Sequence, residues 1–221
     1  MFPLRDTEPS YSKPVVTILL IVVNILVFLY WKISLDPDGF IAAYGLIPDR
    51  FHFSNVITSM FLHGGWQHIL SNMWFLWIFG DNIEDILGHG KYLLFYLLCG
   101  VVAALAQVAV SPNSPIPIVG ASGAIAGIMG AYMIKFPHSR ILTLIFIVVF
   151  FTTIEIPAWV MLIYWFVLNF FSGVGTLGTS QVSQGGGVAF FAHIGGFIAG
   201  IALISVMGPR QRYTRGIDPD W

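Results

Sequence analysis

Charge is scarce in this chain. Ten Lys and Arg and eleven Asp and Glu among 221 residues make 10% charged, against 57% hydrophobic. An ordinary soluble domain carries roughly a quarter charged residues and could not cover its surface with so few. A basic excess is also missing, with a net charge of −1. That argues against a nucleic-acid partner, which calls for clustered Lys and Arg. A single cysteine, Cys99, excludes an intrachain disulfide framework and sits in an apolar run as a packing residue. No H-E-x-x-H pattern occurs, and His63 and His68 lack a suitably spaced acid, so no metal or other cofactor is expected. With lipid as the implied solvent, the chain is an integral, multi-pass membrane protein of one domain.

Long apolar runs are what it has. A crossing helix needs about 20 apolar residues. Candidates lie at 14–31, 66–80 (continuing as a charged turn through Asp81, Glu84 and Asp85), 92–110, 121–135 and 188–207. The stretch 140–171 holds two apolar runs separated by Glu155 and Pro157. Its first half is short for a crossing and rich in β-branched residues, which favour extended backbone. Either the halves form one long broken element, or the first stays near the interface and the second alone crosses. Both give an all-α, six-helix bundle over 14–207, with a segment 1–13 before it and a tail 208–221 after it. Six crossings put Arg5, Lys13, Lys91, Lys135, Arg140, Arg210, Arg212 and Arg215 on one side and only Lys32 and Arg50 on the other. The positive-inside bias makes both termini cytoplasmic, and the cell membrane is the expected location. Residues 1–31 do not resemble a cleavable signal peptide, because no small-residue cleavage site follows closely.

Three polar features exceed what a structural helix needs. In Gly120-Ala121-Ser122-Gly123-Ala124-Ile125-Ala126-Gly127, a serine sits among small residues at a helix start, where unpaired amides can receive an oxyanion. In Ala192-His193-Ile194-Gly195-Gly196-Phe197, an ionisable group enters the last crossing. The odd crossing between them puts both at similar depth. Gly123, Gly127 and Ala131 on one helix, and Ala189, Ala192, Gly196 and Gly200 on the other, form small-residue stripes that allow close approach. In His63-Gly64-Gly65-Trp66-Gln67-His68-Ile69-Leu70-Ser71-Asn72, His68 and Asn72 share a helix face and supply donors. Each also has a competing reading: a small-residue packing face for the first, an interhelical hydrogen bond for the second, and a metal site at His63 and His68 for the third.

Together these segments resemble the rhomboid family of intramembrane serine proteases, in order and spacing, over roughly residues 53–205. Phe79-Gly80-Asp81-Asn82-Ile83-Glu84-Asp85 is also similar to the family's turn after its second helix. The resemblance implies a serine endopeptidase that cuts membrane-protein substrates in or beside their transmembrane segments, with a site opening to the non-cytoplasmic face. Ser122 would be nucleophile and His193 general base, with His68, Asn72 and the Ser122 amide as oxyanion hole. It further implies a gate or cap that involves Trp159, Phe166, Phe170, Gly185 and Gly186, with the charge-free loop 172–187 above the site. Two departures stand out. Arg50-Phe51-His52-Phe53-Ser54 replaces the family's Trp-Arg pair, and Ala126 replaces an aromatic that stacks on the histidine. Phe190 or Trp165 would then help to orient His193. The rival readings are an inactive rhomboid-like scaffold that binds transmembrane segments and a channel or transporter. The latter would need polar groups through the whole bilayer rather than at one depth.

Overall fold

The computed structural model describes residues 2–147, 150–176 and 189–208. Among these residues eight α-helices dominate: α1 (Val15–Ile33), α2 (Pro37–Tyr44), α3 (Phe53–Thr58), α4 (Trp66–Leu87), α5 (His89–Val110), α6 (Ser122–Lys135), α7 (Ala158–Thr176) and α8 (Phe190–Val206). Three of them, α1, α5 and residues Ala158–Gly175 of α7, are long and apolar enough to cross a membrane. The bundle is apolar on both its faces. On α1, Val16, Leu20, Asn24 and Phe28 recur every four residues and are buried, while Leu19 and Leu26 point outward at 53% and 59% exposure. Such a helix buries its stripe against neighbours and leaves the remainder to hydrocarbon.

The fold is not purely helical, which corrects the all-α expectation. Residues 140–157 form an antiparallel hairpin, β2 (Arg140–Ile147) and β3 (Phe150–Pro157), and β1 (Phe2–Asp6) pairs with β2 to give the order β1-β2-β3. Ile, Thr and Phe alternate here without a helical period, and β-branched side chains fit a pleated surface better than a helix. Ile141 and Thr143 point inward and are fully buried, with the Thr143 hydroxyl donating to the Ile141 carbonyl. The two halves of 140–171 are separate elements rather than one broken element: the first forms paired strands and α7 begins only at Ala158. The third strand comes from the N-terminal residues, for which no strand was expected. It is held by Trp74, whose indole N–H donates to the Pro3 carbonyl at 2.7 Å and whose ring stacks on Phe2. At its other end the Tyr132 hydroxyl donates to Asp6 at 2.5 Å.

A second correction concerns 79–85. These residues are not a turn but the continuation of α4, which ends only at Gly88, where φ is +75° and glycine is favoured. The extension has a use. Glu84 is fully buried, and its two oxygens accept from the backbone amides of Val16 and Thr17 at 2.8 Å each. Helix α1 follows Pro14 with no side-chain cap of its own, so a carboxylate from another helix satisfies two of its orphan donors and complements its dipole. His89 Nδ1 closes on the same carboxylate at 2.6 Å.

The N-terminal strand carries a pH dependence. Burial disfavours the ionised Asp6 carboxylate and raises its pKa from 3.8 to about 6, against the lowering effect of the Tyr132 hydrogen bond. A carboxyl group with a raised pKa stabilises the docked state fully below about pH 4, and that contribution is lost as pH rises through about 6. Thermal melts in detergent from pH 4 to 7 should therefore show wild type losing more stability than Asp6→Asn over this window. Parallel curves for the two proteins would contradict the assignment.

Candidate active site

Helix α6 begins at Ser122 because the chain before it is pinned from two directions. Leu46 and Ile118 exchange both backbone hydrogen bonds, at 3.1 and 2.8 Å, and the Gly120 amide donates to the Ser59 carbonyl at 2.9 Å. Gly120 itself has φ +126°, and a Cβ there would stand 2.7 Å from His68 Nε2, so only glycine fits. No side chain caps α6, which leaves the amides of its first turn available beside Ser122. The segment that departs from the Trp-Arg pattern is held by its own contacts. Asn55 donates to the carbonyls of Ala43 and Gly45, Asp49 N–H donates to Ser114, and Phe51 packs near Leu46, Val56 and Ala104.

Ser122 and His193 meet because α6 and α8 touch backbone to backbone. A Cβ on Gly196 would lie 2.0 Å from the Gly123 carbonyl oxygen, and one on Gly200 would lie 1.9 Å from that of Gly127. The two small-residue stripes face each other at these positions. Across that contact, His193 Nε2 lies 2.8 Å from Ser122 Oγ. His193 Nδ1 lies 2.7 Å from Asn169 Oδ1, and Asn169 Nδ2 donates to the Trp165 carbonyl at 2.9 Å. The Trp165 ring stands over the imidazole with centroids 5.6 Å apart, so one of the two aromatics expected to replace the residue missing at Ala126 is in contact. Phe190, the other, lines the same cleft.

That cleft, of about 1040 Å³, brings together Ser122, His193, His68, Asn72, Gln107 and Trp165. His68 Nδ1 accepts a long bond of 3.4 Å from the Gly64 amide, which leaves Nε2 as the protonated, donating nitrogen beside Gly120. Asn72 Nδ2 donates to the His68 carbonyl one turn back at 2.8 Å and has a second hydrogen to give. His63 packs edge-on against His68, with centroids 5.0 Å apart, and is buried. The set offers a hydroxyl, an imidazole in hydrogen-bond reach, and a group of donors around one hollow, which is what acyl transfer needs.

The gate residues are more scattered. Trp165 is the α7 side chain that lines the cleft. Phe166 instead packs against Phe197 as a tilted pair, with centroids at 4.9 Å, and Phe170 meets Phe171 edge-on at 5.7 Å, 43% exposed. Trp159 lies ten residues before Asn169, about 15 Å along the helix axis. Gly185 and Gly186 lie outside the described residues, and 172–176, expected in the loop, belong to α7. Asn169 was not singled out from sequence, although it is an amide within an apolar helix and the rule that flagged His193 applies to it equally.

A family profile described as Rhomboid domain matches residues 50–210. Rhomboid protein 1, mitochondrial, of Saccharomyces cerevisiae is 27% identical over 204 residues, which are 87% of this chain and 54% of that protein. Rhomboid protease GluP of Bacillus subtilis is 32% identical over 138 residues, 58% of this chain and 27% of that protein. Presenilin-associated rhomboid-like protein, mitochondrial, of Homo sapiens is 31% identical over 134 residues, 59% of this chain and 35% of that protein. The chain thus spans about half the length of these relatives, or less.

The glycine contacts make a contrast that melting curves in detergent can read. Gly200→Ala should destabilise toward the upper end of about 1–3 kcal/mol, because carbonyl oxygens of a helix backbone cannot move aside. Gly175→Ala, where a Cβ would meet nothing within 4 Å, should be neutral or stabilising by up to about 1 kcal/mol. Equal melting temperatures for the two variants would contradict the close packing of α6 and α8.

Proposed function

The chain belongs to the rhomboid family, and from that premise we propose that it is an intramembrane serine endopeptidase acting through Ser122 and His193. The observation that carries this reading is the 2.8 Å approach of His193 Nε2 to Ser122 Oγ at the wall of a large cleft. In the proposed step, Nε2 takes the hydroxyl proton as Oγ attacks a scissile carbonyl, then returns it to the leaving amine. The oxyanion is received by the Ser122 amide and by the free N–H groups of His68 and Asn72.

The membrane arrangement follows the same reading. Helices α1, α4, α5, α6, α7 and α8 supply six crossings, and the eight-to-two distribution of Lys and Arg argues for cytoplasmic termini. Helix α6 has 14 residues and is about 21 Å long, shorter than a hydrocarbon core of about 30 Å. With Lys135 at one interface, Ser122 lies below the other, on the non-cytoplasmic side, and water reaches it through the cleft. The substrates are transmembrane proteins. Because a helical peptide bond is shielded from a nucleophile, they must unwind locally. The expected location is a cell membrane.

Labelling of the detergent-solubilised protein with a small fluorophosphonate serine probe tests this. Wild type should label, and Ser122→Ala and His193→Ala should not. Asn72→Ala should lower the turnover of a transmembrane substrate about a hundredfold, the loss usual for one oxyanion donor. A folded wild type that labels no better than Ser122→Ala would favour the alternative of a non-catalytic scaffold that binds transmembrane segments.

A further inference from the structure

We infer that Asn169 is a positioning residue that sets the tautomer of His193 and thereby the direction of the Ser122 proton; this rests on the protease reading above. The inference starts from a group with no chemical choice. The Trp165 carbonyl can only accept a hydrogen bond, and Asn169 Nδ2 lies 2.9 Å from it, one helical turn on. Turning the Asn169 amide over would bring two oxygens together there. The amide is therefore held with its nitrogen toward α7's own backbone and its oxygen toward α8.

Asn169 Oδ1, 2.7 Å from His193 Nδ1, likewise only accepts, so Nδ1 must carry the imidazole proton. A neutral imidazole has one N–H, so Nε2 is bare, and its lone pair faces Ser122 Oγ at 2.8 Å. The serine proton is then the donor in that bond. This is the arrangement in which Nε2 can take the proton as Oγ attacks. The opposite tautomer would place an N–H against the hydroxyl and leave no base.

The same contact strengthens as the reaction proceeds. When His193 gains the serine proton, the Nδ1–H bond to Asn169 becomes charge-assisted, which shortens and roughly doubles such bonds. An interaction stronger in the transition state than in the ground state accelerates the step. An amide serves here without burying a second ion in an apolar site. Trp165 and Asn169, one turn apart on α7, thus both contact the imidazole, the indole as a tilted ring with centroids 5.6 Å away and the amide at the far edge. They do this where Ala126 offers α6 no aromatic of its own.

The test compares wild type with Asn169→Leu, which is similar in size and cannot accept, and Asn169→Asp, which keeps the acceptor. Three quantities are read in detergent: fluorophosphonate labelling rate, kcat and KM on a transmembrane substrate, and the downfield Nδ1–H resonance of ¹⁵N-histidine-labelled protein. That resonance is assigned by its disappearance in His193→Gln. Asn169→Leu should lower kcat and labelling about tenfold or more, with KM within about twofold, and lose the resonance. Asn169→Asp should keep the resonance and recover most of the labelling. If Asn169→Leu fails to melt cooperatively, Asn169→Ala, which also cannot accept, is judged by the same criteria. Wild-type kcat in the Leu variant overturns the inference, and so does a fall in kcat with the resonance unchanged. A wild type that shows the resonance but never labels would instead overturn the protease reading on which the inference rests, and the two failures are told apart by the Ser122→Ala control.

Discussion

Everything at the candidate site depends on two helix backbones lying in contact. Lipid gives helices no hydrophobic reason to associate, so packing and polar contacts must do it, and packing is closest where side chains are absent. The missing Cβ atoms at Gly196 and Gly200 leave room for the carbonyls of Gly123 and Gly127. Gly127 and Gly123 in turn accept Cys99 and Ala103 of α5 against their other side, where an added Cβ would come within 2.5 Å of each. Helix α6 is therefore clasped on two sides, and its first residue, Ser122, has little freedom to move away from the His193 ring. The serine's partner is chosen by small residues that perform no chemistry.

Three asparagine side chains on the helices follow one pattern. Asn24, Asn72 and Asn169 each donate to the carbonyl four residues back on their own helix, Leu20, His68 and Trp165 respectively. A helix in hydrocarbon must satisfy each amide, and the preceding turn is the nearest acceptor. The bond also fixes which way the amide points. At Asn169 the direction given by the backbone passes to an imidazole and then to a hydroxyl. Glu84 works by the same economy of partners at a helix start, where one carboxylate takes two amides and a histidine.

Much of the site was legible in the sequence because it rests on composition and spacing. Ser122, His193, His68 and Asn72 are polar exceptions in apolar runs, and the glycine stripes that join two of them are regular. The helices α1, α5, α6 and α8 fall within a few residues of their apolar runs for the same reason. The strands were harder. Residues 140–157 carry no turn signal of Gly, Asn or Asp, and apolar runs of that length do not distinguish strand from helix without β-branching as a guide. The pairing of 2–6 with 141–144 could not be seen at all, since register between distant segments leaves no mark on either. Asn169 was missed for another reason: its role follows from the rotation of α7, which places it toward α8 rather than lipid, and rotation is a property of the packed bundle. The charged residues after Gly80 continue α4 rather than forming a turn because Glu84 is buried as a cap for α1, a partner that spacing alone does not reveal.

The pairing of β1 with β2 has a consequence in time. Phe2–Asp6 is synthesised well before its partner strand, which begins at Arg140, and the hairpin that supports it closes only at Pro157. At about 5–20 residues per second the N-terminal strand waits roughly 7 to 30 seconds for a neighbour. The first turn of α1 waits as well, though less long, for Glu84. Helices α1 to α6 are made before the sheet that borders them can form. Residues 2–6 thus find their partner late, and the strand they form serves as a closing stitch on the helices made before it.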